Sequence, residues 1–337
     1  MDIVQIIERL NTFISPSGNE KEILKYVYNE IKDCCEELSY DAMGNLITVI
    51  GKGKGEKVMF SAHADTIGFI SYFADDKGFL KISPLGGINM RTFVGRRIKF
   101  VNGIEGAVCY ETETKEQEMK YCFVDIGAEN KQDAEKMVPI GTAGSIVGDV
   151  VVFGKDKDYL MSPFLDNRIS VAIQILLMKK LYEEKVDLKN EIYFVFSVQE
   201  EIGIRGARTS SYAINPKYGL AIDVTLVSDT PKSGFLPMKI NEGACIKVMD
   251  ASIYCHDSMV KFLTNVAKEK GIKHQMEVLY AGGTDAGQIH LAKEGAISGG
   301  ISIPTRYIHT PVETVSIKDC EDVFNLSYEA VKTGFTF

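Results

Sequence analysis

The stretch Ile192-Tyr193-Phe194-Val195-Phe196-Ser197-Val198 runs directly into Gln199-Glu200-Glu201-Ile202-Gly203. A continuous apolar or small run of this length, stopped by polar residues and glycine, reads as a strand covered on both faces, the kind found in parallel sheets. A second run of the same character, Val58-Met59-Phe60-Ser61-Ala62, leads into His63-Ala64-Asp65. A third, at 219–222, leads into Asp223. Helical patterns stand between such runs. Ser17 or Asn19 can cap a helix whose apolar residues Ile23, Leu24, Val27, Tyr28 and Ile31 share one face. Ile173, Leu176, Leu177 and Leu181 mark another helix at 169–183. Further helices are expected at 257–270 and 286–293, and further strands near 245–249, 277–280 and 296–303. Strands alternating with helices predict an α/β fold with a mixed, mainly parallel sheet sandwiched by helices.

Between about 67 and 154 the texture changes. Short β-rich runs are separated by Gly, Asn and Asp, and only 129–138 has a helical pattern. This predicts an inserted small β-barrel-like domain. The expected division is one α/β domain built from 1–67 and 158–337, with a β-rich domain at 68–157 between its halves.

The 337 residues suit about two domains, at roughly 150 residues each. Hydrophobic residues make up 45% and charged residues 25%, which excludes a disordered or collagen-like chain. The net charge is −8, with no block of Lys or Arg, so nucleic-acid and membrane-surface partners are not expected. No run reaches the roughly 18 apolar residues of a membrane span, and the first residues lack the basic start and apolar core of a signal peptide. The seven cysteines include no Cys-x-x-Cys pair, and Cys34 adjoins Cys35. Reduced thiols and a cytoplasmic location are the expectation.

The residues able to do chemistry gather where strands end, which is where sites form in open α/β sheets. His63 and Asp65, Glu200 and Glu201, and Asp223 all stand there, and His309 follows the last strand in Tyr307-Ile308-His309-Thr310-Pro311. Asp166 lies before a helix in Pro163-Phe164-Leu165-Asp166-Asn167-Arg168. Each has a plainer reading: a hydrogen-bonded structural histidine, a solvated turn of two glutamates, an aspartate cap. Asp223 is harder to dismiss, because an unpaired buried charge is costly. Together, two His, two Asp and a Glu make a donor set that suits one or two Zn²⁺, Co²⁺ or Mn²⁺ ions.

On these residues the chain resembles the tetrahedral, glutamyl-aminopeptidase family of dinuclear metallo-aminopeptidases. The resemblance lies in Ser61-Ala62-His63-Ala64-Asp65-Thr66-Ile67-Gly68-Phe69, Leu165-Asp166-Asn167-Arg168, and Glu200-Glu201-Ile202-Gly203-Ile204-Arg205-Gly206-Ala207. It continues in Asp223, in Tyr280-Ala281-Gly282-Gly283-Thr284-Asp285-Ala286, and in Ile303-Pro304-Thr305-Arg306-Tyr307-Ile308-His309-Thr310-Pro311-Val312-Glu313. It implies a sheet of the zinc-peptidase type and an enzyme that removes N-terminal residues from peptides. It implies two divalent ions per subunit, with His63, Asp166 and Asp223 around one and Asp166, Glu201 and His309 around the other. Glu200 would be the general base, Asp65 would orient His63, and the Asp166–Asn167 peptide would be cis. It further implies that the 68–157 domain serves dimerisation, with dimers assembling into a hollow dodecamer.

The alternative is a dinuclear deacylase or dipeptidase on the same fold. Further off stand a glycosidase using Glu200 with another carboxylate, and a binding protein with purely structural metals. Arg168 and Arg306 could hold a substrate carboxylate or form structural ion pairs. Thr284 or Asp285 could cap the following helix. His256, His274 and His290 read as surface or helix histidines. Gly51-Lys52-Gly53-Lys54-Gly55 lacks the strand, helix and Gly-Lys-Ser/Thr ending of a phosphate loop.

Overall fold

The computed structural model describes residues 3–111 and 118–337; residues 1–2 and 112–117, which fall within the two expected domains, lie outside the described residues. The chain opens with α1 (Ile3–Leu10), α2 (Lys21–Ile31), β1 (Glu37–Tyr40), β2 (Leu46–Ile50) and β3 (Lys57–His63). Next come β4 (Gly68–Ala74), β5 (Leu80–Leu85), α3 (Met90–Phe93), β6 (Arg97–Phe100), β7 (Glu105–Tyr110), β8 (Cys122–Asp125), α4 (Lys131–Met137) and β9 (Ala143–Ile146). The second half begins with β10 (Val151–Phe153), β11 (Tyr159–Ser162), α5 (Leu165–Glu183), β12 (Glu191–Ser197), α6 (Arg205–Ile214) and β13 (Tyr218–Leu226). It ends with β14 (Ala244–Met249), α7 (Asp257–Lys270), β15 (His274–Val278), α8 (Ala286–Ile289), β16 (Ile297–Arg306), β17 (Glu313–Ser316) and α9 (Ile317–Thr333).

The large sheet runs β1-β2-β12-β3-β13-β16-β17-β11-β10, with β14 and β15 branching from β16. Its four central strands, β12, β3, β13 and β16, are parallel, and antiparallel strands extend both sides. The parallel register puts Ser197 beside His63 and Asp223 beside Ser302. All four carboxyl ends therefore open on one edge, where the chemistry-bearing residues stand. Phe60, Phe194, Leu220 and Ile301 are wholly buried under α5 and α9, each worth about 1.5–3 kcal/mol relative to exposure. α5 packs on α1, α2, α9 and the sheet, so it is apolar almost all round.

β4-β5-β8-β7-β6-β9 close into a six-stranded antiparallel barrel. Its core centres on Phe69, whose ring meets Phe93 and Phe100 edge-on at 5.7 and 5.4 Å. Gly144 makes room, since a Cβ there would lie 2.8 Å from the Phe69 ring. The barrel strands span Gly68 to Ile146; β10, also within the 68–157 segment, pairs with β11 in the large sheet instead.

Two local expectations are corrected. Neither Ser17 nor Asn19 caps α2: Glu20 occupies that position without a side-chain cap bond. Ser17 Oγ instead donates to Asp65 Oδ2 at 2.6 Å, because a buried carboxylate competes more strongly for the hydroxyl than a helix end does. The helix expected at 286–293 is only the single turn of α8, as the chain takes left-handed backbone at Lys293 and Gly295.

Candidate functional site

All the candidates except Asp223, which lies within β13, are delivered at or just past the end of an element. β3 ends on His63, β13 carries Asp223, and β12 passes through Gln199 to Glu200 and Glu201. Asp166 opens α5 with non-helical backbone, and the Asp166–Asn167 peptide is cis. Left-handed backbone recurs here at Phe164 (φ 65°), Gln199 (55°), Ile204 (54°), Tyr307 (60°) and His309 (64°). Such non-glycine residues are uncommon and concentrate at functional sites.

Six of the seven candidates, His63, Asp166, Glu200, Glu201, Asp223 and His309, line one cavity of about 470 Å³. His63 Nε2 faces Asp166 Oδ1 at 3.1 Å, Asp223 Oδ1 at 3.8 Å and Glu200 Oε2 at 3.9 Å. His309 Nε2 faces the other Asp166 oxygen and Glu201 Oε2, both at 3.3 Å. One ligand atom each from His63, Asp166 and Glu201 lie within 4.8 Å of one another. Glu201 Oε1 is buried without a hydrogen-bond partner. Among the described residues lining the cavity, Lys247 is the sole Lys or Arg, and it pairs elsewhere. A buried group of carboxylates and imidazoles short of cations fits divalent metal ions with nitrogen and oxygen ligands.

The electrostatics express the same shortage. Burial pushes the Glu200 and Asp223 carboxyls well above the usual range, neighbouring carboxylates add to the effect, and His63 opposes it. Glu201 is raised by burial and by Asp166. Burial also disfavours charge on the imidazoles, but carboxylates outweigh it: Asp166 and Asp65 raise His63, and Asp166 and Glu201 lift His309 to about 12. Asp166 falls below the ordinary range because the two histidines overcome its burial.

Asp65 lies just behind the cavity. His63 Nδ1 is 3.1 Å from its backbone oxygen and 3.5 Å from Oδ1. Its carboxylate accepts the N–H groups of Glu200 (3.0 Å) and Glu201 (3.2 Å), so it also fixes the glutamate turn. Three further groups had not been singled out from the residues. Glu313 accepts the N–H of Asp166 at 2.8 Å and that of His309 at 2.7 Å. Glu20 accepts the N–H groups of Gly18 and Gln199, and burial beside Asp65 pushes its pKa up to about 7. Lys247 is buried against Glu277 and lies 3.1 Å from Asp250, and both Lys247 and Asp250 line the cavity. Glu313 closes the 303–313 segment that holds His309; the other two carry no pattern around them.

The lower-ranked candidates take structural places. Arg168 is buried, donates to Phe13 O at 2.7 Å and Ser15 Oγ at 3.1 Å, and burial brings its pKa to about 9. Arg306 forms a two-pronged pair with Asp229, 2.8 Å on each side. His256 accepts the Ser258 N–H at the start of α7, and His274 and His290 meet nearby backbone carbonyls. Asp285 makes no cap bond to α8. The cysteines of the described residues are all free.

Residues 44–326 match the model of the M42 glutamyl aminopeptidase family. A putative aminopeptidase of Acetivibrio thermocellus is 44% identical, over 98% of both chains. A lysyl aminopeptidase of Pyrococcus furiosus is 33% identical, over 89% of this chain and 88% of its own. The solved TET1 peptidase of Pyrococcus horikoshii, described as assembling into a tetrahedron or a large octahedral shell, superposes with a TM-score of 0.88. That pair is 28% identical, over 98% of this chain and 99% of the other. The family match spans most of the sequence and includes every strand end described above, so this chain belongs to the M42 glutamyl aminopeptidase family.

Proposed function

We propose that this protein is a dinuclear, metal-dependent aminopeptidase that removes N-terminal residues from short peptides. The observation that carries the reading is Asp166, whose two oxygens face two different imidazoles, each with a further carboxylate beside it. His63, Asp166 and Asp223 would hold one divalent ion, and Asp166, Glu201 and His309 the other, with Zn²⁺, Co²⁺ or Mn²⁺ suited to these donors. When bound, such a pair supplies Lewis acidity, which lowers the pKa of water towards about 7 and polarises a carbonyl.

The protein's own groups do the rest. Glu200 is left over from metal binding, and its carboxylate lines the cavity 3.9 Å from His63 Nε2, where it can reach a water attacking the substrate. It takes a proton from the attacking water and returns it to the leaving amine, while the water oxygen bonds to the carbonyl carbon and the C–N bond breaks. The surrounding carboxylates favour a substrate's free α-ammonium. Asp65 keeps Glu200 and Glu201 in place through their N–H groups.

The 68–157 segment is assigned as an assembly domain inserted into a catalytic domain of 1–67 and 158–337. Dimers would build a dodecamer, a reading supported by the shell-forming relative. Free cysteines suit a reducing cytoplasm, and no helix among the described residues is long and apolar enough to cross a membrane.

Two substitutions test the division of labour. Glu200→Gln is expected to lower turnover by about 10²–10⁴-fold with metal content retained, whereas Asp166→Ala loses both metal and turnover. Near-wild-type turnover of Glu200→Gln contradicts the base assignment, and loss of metal from it would exchange the roles of the two glutamates. A panel of aminoacyl-arylamides against acylated and dipeptide substrates separates the deacylase or dipeptidase reading.

A further inference from the structure

Asp285 stands immediately before α8, yet its side chain turns away from that helix. Its Oδ2 accepts two hydroxyls, Ser61 Oγ at 2.6 Å and Ser197 Oγ at 2.5 Å. Ser61 lies two residues before His63 on β3. Ser197 ends β12, stands beside His63 in the ladder and precedes Glu200 by three residues. The side chain is 1% exposed, and Oδ1 has no hydrogen-bond partner. A carboxylate this deeply buried is costly, and two short hydroxyl bonds to one oxygen offset part of that.

On its other side, Asp285 continues the turn Gly282-Gly283-Thr284, which lines the cavity together with His63 and Glu200. Beyond the packing of α8, a weak bond from the Thr284 N–H to Ser252 Oγ at 3.4 Å also anchors that turn. The ladder holds β3 to β12 by itself, but it does not hold the 282–284 wall to either strand. Asp285 makes that link.

We propose that Asp285 is a positioning residue, which ties the cavity wall at 282–284 to the two strands that deliver His63 and Glu200. It thereby sets where a substrate held by that wall sits relative to the group that moves the proton. The inference rests on Glu200 being the general base. A misplacement of about 1 Å can cost on the order of 10²-fold in rate without any change in the chemical groups.

The experiment compares metal-loaded D285A, D285N and S197A with wild type and E200Q, reading kcat, KM and metal content. D285A is expected to lose about 10–100-fold in kcat with full metal content and with KM within about threefold. D285N, whose carbonyl oxygen can accept both hydroxyls, is expected to recover to within about threefold of wild type, with S197A between the two. If D285A does not fold, S197A decides: reduced kcat at full metal content supports the link, and wild-type kcat overturns it. Wild-type kcat in D285A, a D285N as poor as D285A, or a loss that merely follows metal loss each overturn the proposal. Full turnover by E200Q would overturn the base assignment and this proposal with it. An inactive E200Q beside a wild-type D285A overturns this proposal alone.

Discussion

Glu313 ties together two groups that come from different parts of the chain, the Asp166 and His309 backbones. Glu313→Ala leaves both N–H groups unpaired next to the proposed metal ligands. Metal affinity is expected to fall about 10–100-fold, the usual effect of removing a group that holds ligands in place, and titration with Zn²⁺ or Co²⁺ checks it. Lys247 presents the opposite case, a buried cation against Glu277 and Asp250. Lys247→Ala strands two buried carboxylates and is expected to destabilise the fold by about 3–5 kcal/mol in denaturant unfolding. The residues readable in advance, from His63 to His309, each follow a run of apolar residues or open a helix, so the pattern itself draws attention to them. The supporting acids carry no such mark. Glu313 meets Asp166 across 147 residues, Glu20 meets Gln199 across 179 and Asp285 meets Ser61 across 224, so only the folded chain brings them together.

Among the elements, the continuous apolar runs of β3, β12 and β13 identified the parallel centre of the sheet, because residues covered on both faces need no alternation. The antiparallel strands on either side were less legible: they are short, and β10 sits next to the barrel in sequence but pairs with β11. Barrel closure, from β4 round to β9, depends on register and is not written in composition. Nor was the reach of the barrel towards the cavity. Its turn at Gly86 and Gly87 packs on the site, where a Cβ on Gly87 would lie 3.0 Å from His309 Nδ1 and 3.2 Å from Cε1. Gly87→Ala therefore displaces the imidazole by a few tenths of an ångström. It is expected to weaken metal binding about tenfold while leaving the unfolding midpoint of the metal-free protein nearly unchanged. Equal metal affinity in Gly87→Ala would show that the ring has room to move.

At the scale of the whole molecule, charge dominates the cavity. The fold gathers Asp166, Glu200, Glu201 and Asp223 around two imidazoles in a cavity where the sole lysine among the described lining residues is already paired. Buried carboxylates without cations oppose folding, so the proposed divalent ions would contribute stability as well as chemistry. The most direct measurement is a titration of the metal-free protein with Zn²⁺, Co²⁺ or Mn²⁺, following bound metal and cleavage of an aminoacyl-arylamide together. Two equivalents per chain, with turnover appearing as they bind and disappearing on chelation, is the expected result. Full turnover by the metal-free chain would contradict the account.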